Sequence, residues 1–289
     1  MAKRTSRRRR AIIRRRIFIT VCSLLLVAVV AGTVALGRFV FKLAKGQDGA
    51  AKTPSSTISS TTESEQPAKK TTATVINTGD IMVHSTQLDG AKTDTGYDFS
   101  EYFKYISPLV SSADLAVANL EVTFGSTESG KYSGYPVFNT PDELAATIKG
   151  AGFDLMLTAN NHIYDTGLFG FKRTLDVLKS NGLEYTGTRK DTSEPYYVVK
   201  NVNGIKIGMI CYTYETDGDS ADKKYLNGRL IATEANPLVN SFSYTRIDSF
   251  YTAAQSAVNA MKNDGADFVV FICTGVRNIS LSRTLGKAQ

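Results

Sequence analysis

Cysteine, histidine and tryptophan are scarce in this chain of 289 residues, which has three cysteines, two histidines and no tryptophan. So few cysteines exclude a fold held together by a disulfide framework. Cys211 and Cys273 lie in apolar stretches, and cysteines in such strands are more often unpaired core residues. We therefore predict no disulfide between them. Any site that uses imidazole must be built on His84 or His162.

Acidic residues are absent from positions 1–16 (MAKRTSRRRRAIIRRR), which contain nine Lys or Arg. The chain has a formal net charge of +7, so the remainder carries −2, the difference between +7 and +9. The basic character therefore belongs to an N-terminal tail and not to the rest of the chain. An isolated basic run can bind nucleic acid or acidic lipid, but this distribution argues against a nucleic-acid-binding domain.

Charged residues are also absent from positions 17–37 (IFITVCSLLLVAVVAGTVALG). A helix of that length, at about 1.5 Å per residue, reaches across the roughly 30 Å hydrocarbon core of a bilayer. The basic residues before it predict a single-pass cell-membrane anchor in contact with the lipid bilayer. Residues 1–16 would then be cytoplasmic and the rest of the chain extracellular. A cleaved signal peptide is the alternative, but its apolar region is usually only ~7–15 residues long.

Large apolar residues are nearly absent from positions 47–72 (QDGAAKTPSSTISSTTESEQPAKKTT). A segment so rich in Ser, Thr, Pro and Lys cannot bury enough surface to offset the entropy of ordering it. We therefore predict a disordered stalk over residues 38–72, which holds a folded domain away from the membrane.

Residues 73–272 alternate between apolar strands and helical patterns. Strands are predicted at ATVINT, DLAVAN, FDLMLTA and ADFVVFI, with a hairpin that turns near Asn203-Gly204. Helices are predicted at EYFKYISPLVSS, PDELAATIKGAG and GLFGFKRTLDVLKSNG and over residues 244–263. Nearly continuous apolar strands that alternate with helices are typical of a layered α/β domain. Its sheet would be mostly parallel or mixed, with helices on both faces.

Polar clusters follow three of the predicted strands. They are Asp80 and His84 after the first strand, Asn119 and Glu121 after the second, and Asn160, Asn161, His162 and Asp165 after the third. In α/β sheets, ligands bind beyond the carboxyl ends of the strands. We therefore expect these side chains to converge on one edge of the sheet.

Carboxylate, amide and imidazole groups together suit a divalent metal such as Mn, Fe or Zn. The set could hold one ion, or two that activate water and neutralise charge on a phosphoryl or acyl oxygen. Each cluster also has a simpler explanation: Asp80 as a turn residue or helix cap, Glu121 as a solvated side chain, and His162 as a hydrogen-bonded structural histidine. The metal interpretation depends on the three clusters occupying equivalent positions at strand ends.

The stretches GDIMVHS, ANLEVTF and ANNHIYDTG, in this order, resemble the CapA family of poly-γ-glutamate capsule biosynthesis proteins. The fold of that family resembles calcineurin-like metallophosphoesterases, and the resemblance covers about residues 74–272. It implies a catalytic or orienting role for His162, which Asp165 would orient in turn. The metal-ligand positions that it implies, with His84 as a further candidate, are Asp80, Asn119, Glu121, Asn161 and His162.

The C-terminal end departs from the family pattern. Family members continue past ADFVVFI with a His-Trp-Gly-x-Glu-Tyr motif and a later Gly-His-x-Pro-His motif, whereas this chain reads CTGVRNIS from Cys273. One choice of codons for CTGVRNIS encodes His-Trp-Gly-Thr-Glu-Tyr when read from the third base. We therefore predict a truncation or frameshift after about residue 272, with 273–289 an aberrant tail. An incomplete domain of this kind would be poorly stable and weakly active or inactive.

Two functions are compatible with these features. The first is a metal-dependent, metallophosphoesterase-like hydrolase or transferase at the cell surface. It would act on an anionic capsule polymer, poly-γ-glutamate, or on its phosphorylated linkage. The second is a non-catalytic, polymer-binding subunit of a membrane capsule-synthesis complex, and an inactive truncated product is a further alternative. Stoichiometric metal in the purified protein would favour the enzyme.

Overall fold

The computed structural model describes residues 71–218 and 223–275. The predicted cytoplasmic tail, the predicted membrane span at 17–37, the stalk up to residue 70 and the C-terminal tail from residue 276 lie outside the described residues. Within the described ranges, no helix has both the length and the apolar character that a bilayer crossing requires.

Four parallel strands form the first sheet, in the order β1-β2-β3-β4. They are β1 (Val75–Ile81), β2 (Leu115–Leu120), β3 (Leu155–Leu157) and β4 (Glu184–Thr186). Every residue of β2 is buried, because both faces of the sheet are covered, and this explains its continuous apolar sequence. The strands are parallel and adjacent, so the carboxyl ends of β1, β2 and β3 lie side by side.

Helices connect these strands and cover the outer face of the sheet. They are α1 (Ser85–Ala91), α2 (Ser100–Phe103), α3 (Ser107–Val110), α4 (Glu143–Gly150) and α5 (Gly167–Ser180). The predicted helix over EYFKYISPLVSS is divided into α2 and α3, and Pro108 occupies the first turn of α3, where a proline is tolerated. Pro141 precedes α4 instead of lying in its first turn, because the helix begins only at Glu143.

The second sheet contains β5 (Val198–Val202), β6 (Ile205–Tyr214), β9 (Ser241–Phe242) and β10 (Phe268–Thr274). Its order is β10-β6-β5, and β9 also pairs with β6. The predicted hairpin joins β5 to β6 through Asn203 and Gly204, whose φ angles of 54° and 86° suit a tight turn. Strand β10 includes Cys273 and Thr274 and so continues past the predicted boundary at residue 272.

The two sheets pack face to face. Val117 and Leu157 of the first sheet meet Met209 and Cys211 of the second in one buried cluster. Helix α6 (Ile247–Asn263) covers the outer face of the second sheet. The predicted layered α/β fold is therefore confirmed, but the strands divide between two sheets instead of forming one.

The cysteines of the second sheet are free thiols. Cys211 lies in the cluster between the sheets, whereas Cys273 packs with the cluster on the outer face. Their side chains therefore point to opposite faces of adjacent strands, an orientation that a disulfide does not allow.

A short hairpin that the sequence did not predict follows the second sheet's longest strand. Its strands are β7 (Tyr225–Leu226) and β8 (Arg229–Leu230), which pair antiparallel. The turn residues Asn227 and Gly228 have φ angles of 49° and 70°, the combination that favours a two-residue hairpin turn. The remaining helices are short 3-10 turns at Thr127–Ser129, Thr233–Leu238 and Tyr244–Arg246.

Candidate functional site

The first two strand ends place two carboxylates around one amide. In the register of β1 and β2, Asp80 lies opposite Asn119. The Nδ2 of Asn119 donates to Oδ1 of Asp80 and to Oε2 of Glu121, at 2.9 Å in each case. The two acidic side chains therefore share a single donor at the rim of the sheet.

Asn160, after β3, is hydrogen-bonded to the carboxyl end of β2. This fully buried amide donates from Nδ2 to Oδ1 of Asn119 at 3.1 Å and to the Leu120 carbonyl at 2.7 Å. Its Oδ1 accepts a hydrogen bond from the backbone N–H of His162 at 3.1 Å. Asn119 orients the two carboxylates in this structure, because its Nδ2 donates to both of them. Its side-chain oxygen already accepts a hydrogen bond from Asn160. Its role as a direct metal ligand stays a prediction.

His162 stands between two carboxylates. Its Nδ1 lies 2.8 Å from Oδ2 of Asp165, and its Nε2 lies 3.9 Å from Oε1 of Glu121. His162 and Asp165 are both buried, with exposed fractions of 5% and 3%. The predicted placement of Asp165 behind His162 agrees with this geometry, which leaves Nε2 on the side of Glu121.

The electrostatics of the rim centre on Glu121. Burial raises the pKa of this carboxyl group, and the neighbouring Asp80 raises it further, while His162 and the hydrogen bond from Asn119 lower it. Two acidic groups held this close repel each other when both are ionised. A bound cation would relieve that repulsion.

The donor chemistry is that of a hard divalent cation. Asp80 and Glu121 supply carboxylate oxygens, and Asn161 between Asn160 and His162 is half-buried, with an amide oxygen of the same ligand class. Within the described ranges, however, no group of three or more His, Cys, Asp or Glu side chains is arranged to hold a metal ion. The two carboxylates lie together around Asn119 and, with an amide oxygen, belong to the ligand class of such a cation, but the predicted metal, whether one ion or two, stays a prediction.

Aromatic rings connect His84 to this cluster. The His84 ring lies 5.3 Å from the ring of Phe138, which in turn lies 4.8 Å from the ring of His162. Tyr135, with 68% of its surface exposed, lies 6.4 Å from His162 by ring centroids. In the described part of the chain, no hydrogen bond joins the His84 ring to Asp80 or Glu121, so the structure places His84 beside the cluster and not within it.

Asn227 is a member of the site that the sequence did not predict. Its Nδ2 lies 3.1 Å from Oδ1 of Asp165 and 3.2 Å from Nδ1 of His162, and it donates to the Pro136 carbonyl at 2.9 Å. The Asn-Gly dipeptide is a signal for a hairpin turn. That signal could have located the turn but not its contact with a histidine 65 positions earlier.

Comparison of the sequence with known proteins identifies the family of the chain. A family model described as "Bacterial capsule synthesis protein PGA_cap" matches residues 74–280. The chain belongs to this family. All the predicted site residues of this PGA_cap member fall inside the matched range, and the CapA resemblance predicted from the three strand-end stretches is confirmed.

Individual relatives agree with the family match. The PGA_cap member is 27% identical over 161 residues to capsule biosynthesis protein CapA of Bacillus anthracis. It is 26% identical over 157 residues to PGA biosynthesis protein CapA of Bacillus subtilis (strain 168). Each alignment covers 53% of this chain but only 38% and 40%, respectively, of the relatives' lengths. The uncharacterized protein y4sH of Sinorhizobium fredii is 28% identical over 127 residues, 42% of this chain and 26% of y4sH.

Proposed function

We propose that this chain is a membrane-anchored, metal-dependent hydrolase or transferase that acts at the cell surface in the synthesis or attachment of an anionic capsule polymer, poly-γ-glutamate. Membership in the capsule synthesis family supports the process. One observation carries the catalytic part of the proposal. The carboxylates of Asp80 and Glu121 share the amide of Asn119 directly beside a buried His162–Asp165 pair.

The chain's own residues divide the chemistry between them. Asp80, Glu121 and Asn161 would hold a divalent cation, which would supply positive charge against a phosphoryl or acyl oxygen. Because Asp165 engages Nδ1 of His162, Nε2 is the nitrogen that can exchange a proton with a bound substrate. The fully buried ring of Phe138 packs edge-on against the imidazole ring, with 4.8 Å between the ring centroids, a contact that favours the observed ring orientation.

Metal content tests this proposal. The full chain, purified in detergent, would be assayed for Mn, Fe and Zn by elemental analysis and titrated with Mn²⁺ after chelation. We expect stoichiometric binding that is lost in Asp80→Ala and Asn161→Ala. Asp94→Ala, which removes an exposed carboxylate from a loop, is the matched control and is expected to bind like the unmodified chain. Absence of metal from the unmodified chain, or its retention in both site variants, would contradict the enzyme.

A second candidate is a non-catalytic, polymer-binding subunit of a membrane capsule-synthesis complex. The observation in its favour is that the described residues contain no group of three His, Cys, Asp or Glu side chains arranged for a metal. In this case, binding of poly-γ-glutamate should survive both EDTA and Asp80→Ala. Loss of polymer binding under either condition would favour the enzyme instead.

The proposed location depends on the N-terminal sequence. An uncharged run at 17–37 after nine basic residues supports an anchor with its N-terminus in the cytoplasm and the domain outside the cell. Proteolysis of intact cells tests this orientation, because an external domain is cleaved without lysis. Protection of the domain until the cells are lysed would contradict it. A partner role for nucleic acid is not part of the proposal, since the chain outside residues 1–16 has a formal charge of −2, the difference between +7 and +9.

A further inference from the structure

The carboxylate of Asp165 is held by three donors from three different segments. Oδ2 accepts from the backbone N–H of Phe138 at 2.7 Å and lies 2.8 Å from Nδ1 of His162. Oδ1 accepts from Nδ2 of Asn227 at 3.1 Å. With only 3% of its surface exposed, Asp165 depends on these donors and not on water for its orientation.

The two hydrogens of the Asn227 amide have defined acceptors. One points to the Pro136 carbonyl at 2.9 Å and the other to Oδ1 of Asp165. A reversed amide would place its oxygen against both of these acceptors, so the hydrogen-bond pattern fixes its orientation. Nδ1 of His162, 3.2 Å from the same Nδ2, is left with Oδ2 of Asp165 as its partner and must donate to it. In the neutral imidazole, Nε2 is then the nitrogen without a proton.

We propose that Asn227 is a positioning residue of the site, which acts through Asp165 to hold His162 in the tautomer that presents a bare Nε2 toward Glu121. The role rests on the proposed function, in which Nε2 is the working nitrogen. Oε1 of Glu121 lies 3.9 Å from Nε2, beyond hydrogen-bond distance, and its negative charge favours a proton on that nitrogen. Without the Asn227 bond, the Asp165 carboxylate is held through Oδ2 alone, its orientation is less restricted, and part of the imidazole proton population moves to Nε2.

Nitrogen NMR of the imidazoles tests the proposal directly, because the full chain has only two histidines. The full chain, labelled with ¹⁵N-histidine and purified in detergent without metal, would be recorded in alkaline solution, well above the ordinary imidazole pKa of about 6.5. His84→Gln assigns the two signals. We expect His162 to be a single Nδ1–H tautomer with a slowly exchanging Nδ1–H.

Asn227→Gly is the informative variant, since glycine keeps the positive φ of the turn and removes the amide. The matched control is Asn203→Gly, which makes the same change in the turn between β5 and β6, where φ is also positive. We expect Asn227→Gly to raise the exchange rate of the His162 Nδ1–H roughly fivefold or more and to introduce the Nε2–H form. Asn227→Asp, which tolerates the same backbone but replaces the donor with an acceptor, should act in the same direction. Asn203→Gly should leave both observations unchanged.

The proposal is overturned if the unmodified chain shows the Nε2–H tautomer, or if both Asn227 variants give the same His162 spectrum as Asn203→Gly. These readings require no metal and no substrate. A chain that binds no Mn²⁺ but shows the Asn227 effect therefore contradicts the proposed enzyme alone. A chain that binds Mn²⁺ through Asp80 with an Asn227-independent spectrum contradicts the positioning role alone.

Discussion

Asp80 and Glu121 both accept hydrogen bonds from the side-chain amide of Asn119. Glu121→Gln is therefore a quantitative test of the repulsion between the two carboxylates. Each carboxylate oxygen lies 2.9 Å from Nδ2 of Asn119, so the two oxygens are no more than about 5.8 Å apart, twice that distance. At this separation two unit charges repel by about 3 kcal/mol at an effective dielectric constant of about 20, and by about 0.7 kcal/mol in bulk water. Because Asp80 is exposed, we expect a value between these limits, about 1–2 kcal/mol.

Removal of the Glu121 charge also weakens the hydrogen bond from Asn119, at a cost of about 1 kcal/mol. The two effects nearly cancel, so metal-free Glu121→Gln should unfold with a free energy within about 1 kcal/mol of the unmodified chain. The contrast is expected on addition of Mn²⁺. A ligand at 100 times its Kd stabilises the native state by about 2.7 kcal/mol, which corresponds to a rise in Tm of about 5–11 °C for a domain of this size.

Thermal unfolding followed by circular dichroism, with and without Mn²⁺, measures this difference. Glu121→Gln should show little of the shift, because half of the anionic charge that attracts the cation is gone. Asp94→Asn, which neutralises an exposed loop carboxylate, should retain the full shift. An equal shift in Glu121→Gln and the unmodified chain, or none in either, would refute the electrostatic reasoning.

Three further predictions concern the framework. Phe171 is fully buried in α5, and Phe171→Ala should lower the free energy of unfolding in urea by about 3–5 kcal/mol. Phe169, on the same helix, is 49% exposed, and Phe169→Ala should change this free energy by less than about 0.5 kcal/mol. Arg173→Lys should cost about 1 kcal/mol in the same assay, because an amine cannot make the two parallel 2.7 Å bonds to Asp142; an unchanged free energy would contradict this. Burial raises the pKa of the Cys273 thiol to about 11. The rate of its alkylation, measured by mass spectrometry, should therefore still increase as the pH rises from about 9 to about 10. The alkylation rate of an ordinary thiol with a pKa of about 8.5 levels off over this range.

The sequence predicted the strand-end clusters because each one is local. Asp80 lies at the end of β1, and Glu121 and His162 follow β2 and β3 within a few positions. The rule that parallel strands present their carboxyl ends at one edge was enough to bring them together. The hydrogen bond from Asn119 to both carboxylates depends on side-chain orientation at that edge. No pattern of residue types encodes that orientation.

The hairpin of β7 and β8 illustrates the opposite case. Its strands have two residues each, too few to produce any hydrophobic periodicity, so only the Asn-Gly turn signal was present, and the contact of Asn227 with His162 could not be anticipated. The division into two sheets was missed for a related reason. Strand β6 is apolar along most of its length, and whether such a strand extends an existing sheet or packs across it is decided by long-range contacts.

The first sheet has the same strand order as the chain, and this arrangement bears on how the site is assembled during synthesis. Every predicted ligand, from Asp80 to His162, emerges from the ribosome within one uninterrupted stretch, so the strand ends can meet early. The hairpin that carries Asn227 is made 65 residues after His162. A nascent chain therefore passes through a stage in which every predicted ligand has been synthesised, while the asparagine that contacts Asp165 and His162 has not.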